Sequence, residues 1–225
     1  MPRLTLPHHL VGSAADLRPK ELLDINPQTK AAIFDFDCTL AEHGATELPP
    51  DSLDMIIQMG RAGIWVFVST NIYDEHAYDR QRMLRKLRDP KNGERLIVET
   101  VIPETVTPRE GDPHAFKKPA SDMPAYVLRT YGLIANRVFM IGDQQRSDMK
   151  SVEGLSIHRV LTDKRGELDH PIVRFNRPIE ELQRHLGGYG LFPPHLTSIE
   201  DWMALSFAER LAIDRQRRQP IDISN

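Results

Sequence analysis

The strongest constraint on this chain is where its polar residues fall relative to its apolar runs. Three short, almost wholly apolar segments, AAIFDFD, IWVFVST and RVFMIGD, each end on carboxylate or hydroxyl side chains. A strand with no polar face must be buried on both sides, the habit of a parallel sheet covered by helices. The intervening segments have helical patterning. DSLDMIIQMGRAG, following Pro49 and Pro50, is expected to be a helix with Asp51 at its N-cap and Gly60 and Gly63 near its end. DEHAYDRQRMLRKLRD, from Asp74, offers Met83, Leu84 and Leu87 as an apolar stripe. SDMPAYVLRTYG is expected to be capped by Ser121 or Asp122 and closed by Gly132. A short helix is expected near Asp16 to Leu23, an extended stretch in RLIVETVIPETV and a further strand in LSIHRVL. This alternation predicts an α/β fold, a Rossmann-like three-layer parallel sheet with helices on both faces.

Residues 1–170 carry this rhythm, and residues 171–225 depart from it. The tail holds the helix candidates PIEELQRHL and Ser198 to about Arg218. It is expected to be a helical extension packed on the domain or projecting from it. The stripe of Trp202, Leu205, Phe207 and Leu211 fits core packing, or a contact with a partner or a membrane.

In open α/β sheets, ligands bind beyond the carboxyl ends of the strands. If the three segments are parallel, Asp35 and Asp37, then Ser69, Thr70 and Asn71, then Asp143 and Asp148 converge on one edge. Carboxylates crowded together repel one another unless a cation neutralises them. Oxygen ligands from a few carboxylates, with waters retained, are what Mg²⁺ prefers. Such an ion would draw in a phosphate dianion and keep a nucleophilic Asp35 ionised. A hydroxyl at Ser69 or Thr70 and an ammonium at Lys117 or Lys118 could stabilise a transferring phosphoryl group. Ser69 is favoured over Thr70, and Lys118, beside Pro119, over Lys117.

The ordered motifs DFDCTL, VST, KKP and GDQQRSD resemble those of the haloacid dehalogenase (HAD) superfamily of phosphohydrolases over roughly residues 20–165. The resemblance implies Asp35 as the nucleophile that becomes an aspartyl-phosphate and Asp37 as the general acid/base. It implies Ser69 as phosphate ligand and Lys118 as stabiliser of nucleophile and phosphate. Mg²⁺ would be held by Asp35, Asp143 and the backbone carbonyl of Asp37, with Asp148 in support. The lead-in PHHLVGSAADLRPKELLDINPQTK is similar to the opening of the subfamily IIIA phosphatases of the YqeG and phosphatidylglycerophosphatase group. That likeness implies a phosphorylated lipid head group as substrate, with a soluble nucleotide or sugar phosphate as the rival. Two departures stand out. Cys38 lies where that group has asparagine or glycine, and VETVIPETVTPREGDPHAF lengthens the stretch from Ser69 to Lys118.

Composition sets the remaining bounds. With 29 basic and 32 acidic residues in 225, the formal charge of -3 gives no reason to expect nucleic-acid binding. The single Cys38 excludes an internal disulfide and a cysteine-rich zinc site. His8, His9, His43, His76 and His114 are scattered and are read as solvent or core residues, with no zinc at His114. No signal peptide is evident, and no run approaches the ~20 apolar residues of a membrane span. A cytoplasmic protein is therefore expected, with peripheral membrane contact and self-association both open. The intervals around Ser69 leave room for a small lid and no large cap. A weakly catalytic interaction module working through the tail is the competing class.

Overall fold

The computed structural model describes residues 7–71, 75–108 and 111–166. The helix candidates of the tail and Asp74 lie outside the described residues. Within them the chain forms β1 (His9–Leu10), α1 (Pro19–Ile25), β2 (Ala31–Asp35), α2 (Pro50–Arg61), β3 (Trp65–Ser69) and α3 (Glu75–Lys86). Then come β4 (Glu99–Val101), α4 (Pro103–Val106), α5 (Asp122–Tyr131), β5 (Val138–Gly142) and β6 (His158–Leu161).

The strands make one six-stranded sheet, every pairing parallel, in the order β1-β6-β5-β2-β3-β4. This is the expected α/β, Rossmann-like arrangement. From β2 the chain steps outward through β3 to β4, then returns to β5 on the other side of β2. Strand order therefore reverses at β2 and β5, and a crevice opens outside their carboxyl ends at such a point.

The period-two alternation of the strands sorts the core into two layers. Ala32, Phe34, Val66, Val68, Phe139 and Ile141 pack with Leu22, Met55, Ile56, Met59 and Leu84 of α1, α2 and α3. Ala31, Ile33, Phe67 and Met140 pack on the other face with Met123 and Val127 of α5 and with Met149 and Val152. Fully burying Ile33 or Phe34 is worth about 1.5–3 kcal/mol each, so β2 is fixed from both faces as well as by two flanking strands. Leu84 is fully buried, and Met83 and Leu87 pack partly against the same layer, as the helical stripe predicted.

Several boundaries differ from the sequence reading. The expected helix at Asp16 to Leu23 is a short turn over Ala14–Asp16 followed by α1, which begins at Pro19. Proline suits a first helical position because its missing N–H would have no intrahelical partner there. The same preference corrects Asp51: α2 starts at Pro50, so Asp51 lies in the first turn and the N-cap is Pro49. Asp51 instead takes both its carboxylate oxygens to Arg165 Nη2, at 2.8 and 2.9 Å. The expected extended stretch is β4 followed by one helical turn, α4, again opened by a proline. The described residues between β2 and β3 hold a single helix.

Candidate active site

The site grows from the carboxyl ends of β2, β3 and β5, three adjacent strands. Asp35 is the last residue of β2 and lies in register with Ser69, the last residue of β3. Asp143 follows β5 directly. Asp148 comes from a five-residue π-helical turn, Gln145–Met149, whose widened geometry recurs at functional sites. One carboxylate oxygen from each of Asp35, Asp143 and Asp148 lies within 4.8 Å of the others, and all three residues are buried.

Lys118 enters this cluster from the segment before α5. Its ammonium is hydrogen-bonded to Asp35 Oδ1, to Asp148 Oδ1 at 2.6 Å and to the Ser69 carbonyl at 3.3 Å. The Lys118 side chain is the one that reaches the cluster; Lys117 is only half-buried. A two-point clip fixes its backbone. Lys118 N–H donates to Asn71 Oδ1 at 2.7 Å, and Asn71 Nδ2 donates back to the Lys118 carbonyl at 3.2 Å.

The electrostatics follow from crowding. Burial pushes the Asp35 carboxyl well above the ordinary carboxylate range against the opposing pull of Lys118, with Asp148, Asp143 and Asp37 adding to the upward push. Burial also works against the Lys118 charge, but Asp148 and Asp35 outweigh it and raise the ammonium above the usual lysine range. The ammonium of Lys118 is bonded to two of the three clustered carboxyl groups, Asp35 and Asp148. This donor set fits a hard divalent cation. Three carboxylate oxygens this close together could bind one divalent cation. Asp35, Asp143 and Asp148 are the side chains that would hold it.

Asp37 turns to different partners. Arg80 of α3 grips its carboxylate with both terminal nitrogens, Nη1 to Oδ2 at 2.7 Å and Nη2 to Oδ1 at 3.2 Å. Thr70 Oγ1 donates to Asp37 Oδ2 at 3.3 Å, and the Gly44 N–H donates to Oδ1 at 3.1 Å. Ser69 Oγ lies 3.8 Å from the sulfur of Met123, so the two hydroxyls considered for phosphate face different neighbours. Thr39 Oγ1 donates to Asp143 Oδ1 at 3.2 Å and ties the loop after β2 to the end of β5.

Cys38 has φ +62°. That left-handed conformation is what glycine or asparagine adopts at least cost, which is a local reason for those residues at such a place. The Arg165 N–H bonds the Cys38 carbonyl at 2.6 Å and braces the turn.

Searches against protein-family models and against curated proteins find no match. Among solved structures, one match is a p-nitrophenyl phosphatase from Archaeoglobus fulgidus, 18% identical, covering 85% of this chain and 72% of that one with a TM-score of 0.23. So loose a superposition carries no part of the argument below.

Arg80 and Arg165 were not singled out from sequence. A signal for Arg80 was there: it sits four and seven residues before Leu84 and Leu87, on the stripe that faces the core. A cation on that stripe needs a buried partner. Nothing in the sequence tied Arg165 to Asp51, because their contact spans more than a hundred residues.

Proposed function

We propose that this chain is a magnesium-dependent phosphomonoester hydrolase working through an aspartyl-phosphate on Asp35. One observation carries the reading: Asp35 sits at the strand-order reversal in a buried cluster with Lys118, Asp143 and Asp148. A nucleophile, a cation and a set of hard oxygen donors at one sheet edge suit phosphoryl transfer better than any other common reaction.

In the first step an Asp35 oxygen attacks phosphorus, the ester P–O bond breaks, and Asp37, which must first take up a proton from solvent as the substrate binds, gives it to the departing oxygen. In the second, water attacks the phosphorus of the aspartyl-phosphate, Asp37 takes the water's proton, and phosphate leaves with the Asp35 carboxylate restored. Lys118 orients Asp35 and balances charge on the phosphoryl oxygens. Ser69, Thr70 and Asn71 line the phosphate's approach from β3. A bound Mg²⁺ supplies Lewis-acid neutralisation of that same charge.

For the substrate we extend the proposal to a lipid phosphate of the phosphatidylglycerophosphate kind. Its support is the likeness of the lead-in and motifs to phosphatases of that class, and the amphipathic pattern around Trp202 in the sequence of the tail. No helix among the described residues is long and apolar enough to cross a membrane.

The test is a phosphate-release panel of lipid, nucleotide and sugar esters, with and without Mg²⁺, and Asp35→Asn as control. Turnover should need the metal and fall by several orders of magnitude in the variant, since the covalent route disappears. Near-normal turnover by Asp35→Asn would refute the mechanism. Preference for a soluble ester, with no co-sedimentation on anionic liposomes, would refute the lipid assignment alone.

A further inference from the structure

Arg80 is almost fully enclosed, at 4% exposure, although arginine is among the residues least often buried. Its guanidinium is spent on the loop that follows β2 and on Thr70 just after β3. Besides the two bonds to Asp37, Nη1 donates to Thr70 Oγ1 at 3.2 Å and Nη2 to the Ala45 carbonyl at 3.1 Å. Its plane lies over the ring of Phe36, with Cζ 4.0 Å from the centroid. Phe36 is itself fully buried between Asp35 and Asp37 in the chain. The fork, the bonds to Thr70 and Ala45 and the contact with the Phe36 ring together hold the guanidinium in place.

Held by that fork, the Asp37 carboxylate is fixed in both distance and plane. A single donor leaves a carboxylate free to rotate about its Cβ–Cγ bond, whereas two parallel N–H···O bonds do not. General acid/base work needs this, because a misplacement of about 1 Å can cost about 10²-fold in rate.

We propose that Arg80 is a positioning residue for the acid/base Asp37, acting on the reaction only through the placement of that carboxylate. The inference rests on the aspartyl-phosphate reading. Arg80 supplies no proton and touches no reacting atom. It contributes where the leaving oxygen needs a proton and contributes little where the leaving group departs unaided.

That dependence separates positioning from mere structural support. The full-length chain is assayed with Mg²⁺ on p-nitrophenyl phosphate, whose phenolate leaves easily, and on glycerol phosphate, whose alkoxide needs protonation. For Arg80→Ala we expect kcat/KM on glycerol phosphate to fall by about 10²-fold and on p-nitrophenyl phosphate by less than about tenfold. Asp37→Asn should show the same selective pattern, and Arg80→Ala should cost nothing further in the Asp37→Asn background. Arg80→Lys should fall between, since an ammonium cannot span both oxygens. If Arg80→Ala proves unfolded by circular dichroism, Arg80→Lys carries the same comparisons. The proposal is overturned by equal losses on the two esters, by losses that multiply with those of Asp37→Asn, or by an Arg80 variant indistinguishable from wild type. Retained turnover in Asp35→Asn would instead sink the aspartyl-phosphate reading, and a wild-type chain that releases no phosphate from these two esters or from a lipid phosphate would sink both.

Discussion

Asp148 lies so close over Gly142 that a methyl group on Gly142 would sit 2.3 Å from Asp148 Oδ2 and 2.6 Å from its Cβ. The last residue of β5 is therefore a glycine for lack of space, and the missing side chain is what lets Asp148 reach Lys118. Gly142→Ala should push Asp148 off the ammonium and destabilise the fold by about 1–3 kcal/mol, as overpacking does. Thermal unfolding of Gly142→Ala beside Asp148→Ser and the double variant checks this. The alanine should cost much less once Asp148 is shortened.

Lys118 separates carboxyl groups that would otherwise meet without a counter-charge. Lys118→Met should destabilise the chain by about 3–5 kcal/mol, because removing one member of a buried pair strands the others. Urea unfolding measures the loss. Lys118→Arg should not restore the wild-type value, since a planar fork does not fit where one ammonium meets three acceptors.

Metal addition should be visible without any assay of turnover. At about 100 times the dissociation constant, a ligand that binds only the folded chain adds about 2.7 kcal/mol, so Mg²⁺ should raise Tm and EDTA should reverse the rise. Asp143→Asn should remove most of the shift, because the amide keeps an oxygen but loses the charge of one of the three clustered carboxylates. A wild-type Tm indifferent to Mg²⁺ up to millimolar levels would contradict the assignment of the cluster.

The N-terminal strand has its own dependence on pH. Burial, helped by the charge of Arg159 and then by His9 and His158, lowers His8 from 6.5 to about 4. Between those values the unfolded chain binds the extra proton and the folded one does not, so stability rises with pH across the window. The contribution is whole above about pH 6.5 and is lost as pH falls towards 4. His8→Gln should flatten this part of a Tm-against-pH curve relative to wild type, most clearly between pH 5 and 6.5.

Cys38 should be replaceable by glycine without loss of fold. A left-handed conformation costs an ordinary residue about 1–2 kcal/mol, which glycine would not incur, offsetting the lost burial of the thiol. Cys38→Val, β-branched in the same conformation, should melt well below both. Differential scanning calorimetry of the two variants makes the comparison.

The sheet and its reactive edge were legible in sequence because the change from apolar run to carboxylate is abrupt at Asp35 and Asp143, and a strand's period leaves little doubt where it ends. Lys118 was legible through its place beside Pro119 and ahead of a capped helix. Helix starts were read one to three residues off at Pro19 and Pro50, since an acidic residue near the start resembles a cap until the proline's stronger claim is weighed. Arg80 was hidden for a different reason. Its partner lies forty-three residues away, and neither propensity nor periodicity encodes a tertiary ion pair. Asp148 was expected to play a supporting part, and only the π-helical turn shows that its carboxylate joins the same cluster as Asp35 and Asp143.

The reciprocal bonds between Asn71 and Lys118 tie together the two ends of a long detour of the polypeptide. Between those ends, α3 through Leu84 and strand β4 remain part of the core and the sheet, so only the surface loops of the detour are free to change length while the ammonium keeps its address. The carboxylate-bearing edge of the sheet and those loops can therefore diverge at separate rates.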